Sequence, residues 1–329
     1  MRIVIEEKPC EFAAKHMIKR LKDFVPTDSK KYFVLGLPSF EGSARGMFEY
    51  LIAEHKKGNV SFRNVATFQM DEFYKIEKTH AFSMCTVMYR NFFKHIDILP
   101  ENVHILDSKC TDPDVETSNF ERRIKEYGGI DFLFCGVGAD GSIARNEPGA
   151  SLASRTRLKT LTYVVSLICM KTIRNIHTHT HRLVTIQSLA ARLKLSVNSV
   201  PKVALTMGLG TILDAKEIMV LFLGQSKAFA LHRCVEYSVN HMYPASVFQL
   251  HDRCIFVCDE KATMDMSSKT VRYFNGIGKV AQETLGSKNA CDFSKSSMAS
   301  ELKLFHRRML SNPHRSNKLS PHAMSRKKK

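Results

Sequence analysis

Apolar runs of strand length alternate along this chain with stretches of helical period, and this alternation constrains the fold more than any other feature. Such an order predicts an α/β protein with a doubly wound, mostly parallel, Rossmann-like sheet and helices on both faces. The predicted strands are residues 2–5, 32–36, 65–69, 103–106, 131–136, 203–207, 217–223, 246–250 and 254–258. The predicted helices are residues 11–24, 44–55, 81–95, 114–127, 226–237 and 267–275.

The composition predicts a globular chain with a separate basic tail. Its 329 residues are 44% hydrophobic, which is enough for a large core. We expect one domain over residues 1–283 and a basic, disordered C-terminal tail over 284–329. Acidic residues near the N-terminus and the lack of a long apolar run predict neither secretion nor membrane spanning, hence a cytoplasmic protein. The nine cysteines form no C-x-x-C pair, so we expect neither disulfides nor structural zinc.

Residues that directly follow strands are the first candidates for function, because ligands of such sheets bind beyond the carboxyl ends of the strands. The first of these segments carries Ser39, Gly42 and Ser43 and leads into a helix. Small residues and backbone amides at a helix start can hold a phosphate. Ser43 acting only as a helix cap is the alternative, and Glu41 would repel a phosphate.

The second segment places two acids, Asp71 and Glu72, at the end of an apolar strand. Burial raises the pKa of a carboxyl group toward neutrality, so such a pair is suited to proton transfer. An acidic loop or helix cap is an equally good interpretation of these two residues.

The third segment contains Gly136, Gly138 and Gly141, which satisfy G-x-G-x-x-G. That fingerprint binds dinucleotides only where it opens a helix, and Pro148 ends any helix within two turns. We therefore reject a dinucleotide site. What remains is a glycine-rich loop that carries Asp140 and Glu147.

Taken together, the three segments resemble the glucosamine-6-phosphate deaminase (isomerase) family over about residues 1–163 and 190–276. The motifs that carry the resemblance are Phe33-Val34-Leu35-Gly36-Leu37-Pro38, Thr67-Phe68-Gln69-Met70-Asp71-Glu72-Phe73, Arg90-Asn91-Phe92-Phe93, Gly136-Val137-Gly138, Asn146-Glu147-Pro148, Ser151-Leu152-Ala153-Ser154-Arg155-Thr156-Arg157, Pro201-Lys202-Val203-Ala204-Leu205-Thr206, Gly224-Gln225-Ser226-Lys227 and Val257-Cys258-Asp259-Glu260. The resemblance implies a Rossmann-like sheet, a homohexamer or trimer, and no metal or organic cofactor.

The resemblance also implies a reaction and a set of roles. Family members convert glucosamine 6-phosphate to fructose 6-phosphate and ammonia, in amino-sugar catabolism. By resemblance Asp71 is the base at C2, and Asp140 and Glu147 assist ring opening. The implied phosphate ligands are Ser39, Gly42, Ser43, Arg192 and Lys227, and the positions similar to an activator site are Ser151, Arg157 and Lys159.

The chain departs from the family at Ser142, where members carry the histidine that opens the sugar ring. A serine hydroxyl does not exchange protons near neutral pH, and losing such a group costs about 10²- to 10⁴-fold in rate. The phosphate loop is also one residue longer, with Phe40 and Glu41 among its residues. The resemblance therefore predicts a slow enzyme.

The positive charge is concentrated in two segments that lie outside the resemblance. The net charge is +17, but residues 295–329 hold ten lysines and arginines against one acid. A further segment, residues 164–189, has no counterpart in the family and contains three basic residues and no acid. Its alternating histidines (His177, His179 and His181) have no acidic partner, so we expect no metal site there.

Three other functions stay open at this point. The chain could be a non-catalytic family member that binds sugar phosphates or family subunits. It could be a sugar-phosphate lactonase, although that family also uses the histidine that Ser142 replaces. A nucleic-acid or anionic-surface binder is the third, and it rests only on the basic tail.

We predict that any affinity for nucleic acid resides in the tail and falls steeply with salt, because it depends on phosphate neutralisation by lysine and arginine. Fluorescence anisotropy with labelled duplex DNA at rising salt measures this affinity. The chain without residues 295–329 should not bind, and undiminished binding by that truncated chain would show a basic face on the rest of the protein.

Overall fold

A computed structural model describes residues 1–39, 42–161 and 201–285. The chain divides into two compact units, Met1–Gly276 and Ile277–Lys329, of which the second is described only as far as residue 285. The segment 164–189, Arg192 and tail residues 286–329 lie outside the described residues. The predictions made for them, including the metal-free histidine tract and the disordered tail, therefore stay predictions.

Seven strands form one parallel sheet, which confirms the predicted α/β class. The strands are β1 (Arg2–Ile5), β2 (Phe33–Leu37), β3 (Val65–Gln69), β5 (Val103–His104), β6 (Phe132–Gly136), β9 (Ile218–Phe222) and β10 (Cys254–Cys258). Their order is β1-β10-β9-β6-β2-β3-β5. Since the strands are parallel, the loops that follow β2, β3, β6 and β9 leave the sheet at the same edge.

Helices cover both faces of this sheet. Their bounds are α1 (Pro9–Lys22), α2 (Arg45–Lys56), α3 (Met84–Asn91), α4 (Pro113–Glu126), α5 (Leu209–Leu213), α6 (Ala228–Glu236) and α7 (Ser268–Leu285). Val34 and Leu35 are neighbours in β2 but belong to different hydrophobic clusters, because successive side chains of a strand point to opposite faces. The first cluster includes residues of α4 and α6, and the second includes residues of α1 and α2.

Three further strands form a smaller antiparallel sheet. They are β4 (Asp71–Phe73), β7 (Arg157–Thr160) and β8 (Val203–Thr206), and their order in the sheet is β4-β8-β7. Strands β4 and β7 were not predicted, because each is short and contains charged residues that depress strand propensity. Asp71 pairs with Thr206, and Thr206 pairs with Arg157 on the other side, so the three residues lie side by side across the sheet.

Several predicted elements differ in kind or in bounds from those observed. Residues 246–250 were predicted to be a strand, but Pro244–Leu250 form a 3-10 helix. Pro244 starts that helix because its fixed φ suits a helical first turn and it has no N–H to donate to a sheet. Strand β5 contains two residues rather than four, and α7 continues ten residues past the predicted end at 275.

The described cysteines are all free thiols. Cys254 and Cys258 are buried in β10, and burial raises the pKa of the Cys258 thiol to about 12. Among the described helices, none combines the length and hydropathy that crossing a bilayer requires.

A buried carboxylate fixes α1 to the start of β9. Glu217 Oε1 lies 2.6 Å from His16 Nε2, and Arg20 Nε lies 2.8 Å from Oε2. Arg253 approaches the same oxygen at 3.5 Å. Burial opposes ionisation of Glu217, but the hydrogen bond from His16 and the charges of His16, Arg20 and Arg253 lower its pKa below the ordinary value of 4.5.

We predict that Glu217→Gln lowers the free energy of unfolding by about 3 kcal/mol at pH 7, because one partner of a buried charge cluster loses its charge. A carboxyl group whose pKa is lowered by folding stabilises the protein above its unfolded pKa, and this contribution disappears as the pH falls through the folded value. The difference between the two proteins in urea denaturation should therefore shrink below pH 4.5. A difference that is constant from pH 7 to pH 3 would contradict the assignment.

Candidate active site

The candidate catalytic residues lie on loops at the carboxyl edge of the main sheet and on the small sheet beside it. Asp71 follows β3 after a single intervening residue, and the loop 137–149 follows β6. Ser39 follows β2, and Lys227 follows β9. The parallel order β9-β6-β2-β3 therefore brings loops from four adjacent strands to one edge.

Asp71 is buried and ion-paired. Its side chain is 5% exposed, and Arg145 Nε donates a hydrogen bond of 2.7 Å to Asp71 Oδ2. The Arg145 side chain is itself only 8% exposed and lies over the Phe73 ring, with Cζ 4.8 Å from the ring centroid. The candidate base thus has a fixed cationic neighbour.

Sequence reasoning missed Arg145, which comes from a tight turn over residues 143–146. Ile143 and Asn146 form an antiparallel bridge, and Ala144 adopts a positive φ of 52°. The Arg145 backbone N–H donates to Thr206 Oγ1 at 3.2 Å. The signal in the sequence was a single basic residue between Asp140 and Glu147, and nothing local indicates that its partner is the distant Asp71.

Glu72 has a structural role that separates it from Asp71. Its carboxylate accepts hydrogen bonds from the backbone N–H groups of Phe73, Met84 and Cys85 and from the Ser83 hydroxyl. Met84 and Cys85 start α3, so Glu72 caps that helix from a distant part of the sequence. Burial raises the pKa of Glu72, and these four donors oppose the shift. Of the two interpretations left open by the sequence, the helix cap is correct for Glu72.

The loop after β6 is shaped by Asp140, whose Oδ1 accepts from both the Ser142 backbone N–H (3.0 Å) and the Ser142 hydroxyl (2.6 Å). Gly138 leaves room for this turn, since a Cβ there would lie 2.1 Å from Ser142 Oγ. Gly141 has a φ of +81° and packs against Tyr243. Among the described residues, 142–161 follow the three glycines as turns and strand β7, whereas a dinucleotide fingerprint opens directly into a helix.

The same loop ends at Glu147, which is 4% exposed. Lys159 Nζ on β7 lies 3.9 Å from Glu147 Oε2. Asn146 stabilises the loop by donating from Nδ2 to the carbonyl oxygens of Ile143 and Met207. Lys159, which was predicted for the activator site, thus lies beside Glu147, which was predicted for ring opening.

The predicted phosphate residues fall in two neighbouring loops. The 3-10 turn Gly42–Ala44, which includes Ser43, contacts β6 and β9, and Gly42 has a positive φ of 55°. Lys227 ends the 3-10 turn Gln225–Lys227, whose preceding Gly224 N–H is held by both carboxylate oxygens of Asp259. Phe40 and Glu41 lie outside the described residues, as does Arg192.

The other residues of the predicted activator site lie at and near β7. Ser151 is exposed in the loop before it, and Arg157 is half-buried at its start. Because Arg157 and Asp71 flank Thr206 in register, only strand β8 separates β7 from the candidate base.

Comparisons with known proteins point to one family. A family profile described as glucosamine-6-phosphate isomerases/6-phosphogluconolactonase matches residues 7–164. The chain is 45% identical over 280 residues to glucosamine-6-phosphate deaminase 2 of Bos taurus, covering 84% of this chain and 94% of that protein. It is 46% identical over 267 residues to glucosamine-6-phosphate deaminase of Cronobacter sakazakii, covering 81% and 92%.

Solved structures show the same fold. A monomeric glucosamine-6-phosphate deaminase superposes with a TM-score of 0.70 at 31% identity, covering 80% of this chain and all of that one. A 6-phosphogluconolactonase from Trypanosoma cruzi has a TM-score of 0.59 at 14% identity, covering 81% and 97%, which shows the fold alone. The family profile and the fold together place the chain in the isomerase/lactonase class of α/β proteins. Within that class the chain belongs to the glucosamine-6-phosphate deaminase family, which confirms the resemblance found in its motifs.

We predict that Glu72→Ala lowers the free energy of unfolding by about 3 kcal/mol, since it leaves three backbone N–H groups and one hydroxyl without their acceptor. Ser83→Ala is the matched control. It removes one of the four donors and should cost about 1 kcal/mol. Urea denaturation of both variants measures the difference, and equal losses would show that Glu72 does not organise the start of α3.

Proposed function

We propose that this chain is a glucosamine-6-phosphate deaminase that converts glucosamine 6-phosphate and water to fructose 6-phosphate and ammonia. The observation that carries the proposal is the buried carboxylate of Asp71 at the carboxyl edge of the sheet, in a chain about 45% identical to deaminases over 84% of its length. Lactone hydrolysis is less well supported, because the lactonase structures that match are 12–17% identical.

Asp71 is the group that moves the proton between C2 and C1. In the open-chain sugar it takes the C2 proton, which forms an enolamine after O1 gains a proton. Returning the proton to C1, with loss of an N–H proton, leaves an imine at C2. Water adds to this imine and ammonia leaves, so one water is consumed and one ammonia is released. A carboxylate suits this transfer because it can take up a proton from one carbon and return it to the next.

Ring opening is the weak step of the proposed mechanism. Asp140 and Glu147 are the carboxylates available to it, and the Ser142 hydroxyl donates to Asp140 where an imidazole would exchange a proton. Ser142 orients Asp140 but does not titrate near neutral pH, and so Asp140 and Glu147 must assist ring opening directly. We expect ring opening to be slowed by about 10²-fold or more relative to a protein with histidine at this position.

The substrate phosphate is proposed to bind between the loop after β2 and the loop after β9. Ser39 and the backbone N–H groups of Gly42 and Ser43 are hydrogen-bond donors there, and Lys227 supplies positive charge. Asp259 supports this site by holding the Gly224 N–H at 2.8 and 3.0 Å, which fixes the turn that carries Lys227.

We also propose how the activity of this chain is regulated, how the chain assembles and where it is located. The position of Lys159 beside Glu147 supports an activator site on β7 that acts on the catalytic loop. Assembly as a homohexamer or trimer and a cytoplasmic location rest on the resemblance, and one of the solved relatives is described as monomeric.

We predict slow but measurable ammonia release from glucosamine 6-phosphate by the purified chain, followed by a coupled ammonia assay. Asp71→Asn should abolish it, because an amide does not accept the C2 proton. Lys227→Met should raise KM with a smaller change in kcat, because the phosphate contact is present in the substrate complex and in the transition state alike.

Ser142→His is the complementary variant, and we expect it to release ammonia faster than the unaltered chain because imidazole restores a proton-exchanging group. Thermal melting of each variant controls for folding. Ammonia release by Asp71→Asn at the rate of the unaltered chain would disprove the role of Asp71, and no release by the chain or by Ser142→His would disprove the activity.

A further inference from the structure

Arg145 is held in place by its backbone as well as by its side chain. Within the turn over residues 143–146, Asn146 Nδ2 donates to the Ile143 carbonyl at 3.1 Å and to the Met207 carbonyl at 2.7 Å. The Arg145 N–H is bonded to Thr206 Oγ1, on the strand that pairs with β4. The turn therefore fixes where the Arg145 side chain leaves the loop.

The guanidinium group is in turn confined between the base and an aromatic ring. Arg145 Nε lies 2.7 Å from Asp71 Oδ2, and the group lies over Phe73, two residues further along β4. The Arg145 and Asp71 side chains are only 8% and 5% exposed, so solvent screens their attraction only weakly. Both contacts oppose a movement of the cation away from the carboxylate.

This pairing opposes the proton transfer that Asp71 is proposed to perform. To accept the C2 proton, the carboxylate must become neutral while a buried guanidinium stays beside it. The attraction between the two charges is lost at that moment, and one oxygen of the carboxylate is already taken by the Nε–H bond. The ion pair therefore stabilises the enzyme before proton abstraction more than after it.

We propose that Arg145 is a positioning residue that limits the rate of proton abstraction by Asp71, independently of the missing histidine. The inference rests on the proposed function and deepens it. It implies two separate causes of slow turnover in this chain: Ser142 slows ring opening, and Arg145 slows the isomerisation that follows.

The test isolates isomerisation from opening of the aminosugar ring. Fructose 6-phosphate is incubated with ammonium chloride in D2O, and NMR follows deuterium entering C1, the position at which the same base exchanges a proton. Fructose 6-phosphate opens its own ring in solution, so the measurement depends little on Ser142. Ammonia release from glucosamine 6-phosphate is measured in parallel.

We expect Arg145→Met to speed deuterium entry by about tenfold, which corresponds to 1.36 kcal/mol of activation free energy. Arg145→Lys keeps the positive charge, so its deuterium entry should stay slow. If Arg145 had a structural role alone, both variants would lose stability and activity to the same extent. Arg122→Met is the matched control, because it removes an exposed arginine of α4 whose partners among the described residues, Glu126 and Asn119, lie on the same helix, and it should behave as the unaltered chain.

Each outcome decides the matter. The inference is wrong if Arg145→Met melts normally but takes deuterium into C1 no faster than the unaltered chain. In that case, ammonia release by the unaltered chain still supports the proposed function. If neither the unaltered chain nor any variant exceeds Asp71→Asn in both assays, the proposed function and the inference fail together. If Arg145→Met does not fold, Arg145→Gln replaces it with the same expectation, since its amide is neutral and still donates hydrogen bonds.

Discussion

The main sheet is covered by helices on both faces, and this constraint decides where the chain can place chemistry. Strands β2, β3, β9 and β10 are buried along their whole length. A charged group inside those strands would be costly, so polar residues collect where the strands end. Parallel strands end at the same edge, which is why residues far apart in the sequence meet there. The small antiparallel sheet extends this edge and supplies the strands on which Asp71, Thr206 and Arg157 lie in register.

Within that edge, each candidate carboxylate has a partner from the protein itself. Arg145 pairs with Asp71, Ser142 donates to Asp140, and Lys159 approaches Glu147. Internal partners make buried carboxylates compatible with a stable fold. The protein therefore holds each of these carboxylates in place before any ligand binds.

Much of the fold could be predicted from the sequence because it depends on local apolar patterning. Strands β1, β3 and β10 begin and end at the predicted residues, since each is a short apolar run with polar flanks. Strands β4 and β7 were not predicted, because they form through pairing with β8 and not through their own composition. Residues 246–250 show the opposite error, where an apolar run was taken for a strand and Pro244 starts a helix instead.

The candidate site could be predicted only where a motif marks it. The motifs pointed to Asp71, Asp140 and Glu147, but the partner of each depends on contacts between distant segments. Arg145 and Asp71 are 74 positions apart, and no periodicity in the sequence relates them. The division of roles between Asp71 and Glu72 was undetermined for the same reason, because three of the four groups that Glu72 binds lie 11 to 13 positions further on.

The cap formed by Glu72 also links the candidate base to the local stability of α3. Glu72 directly follows Asp71 in β4, so the hydrogen bonds that hold the first turn of α3 also hold the peptide next to the base. When that turn opens locally, β4 loses an anchor and the carboxylate of Asp71 loses its fixed position. Each 1.4 kcal/mol in the free energy of this opening changes the population of molecules with a displaced base by about tenfold. A substitution in α3 can thereby change how many molecules hold the Asp71 carboxylate in place at a given moment.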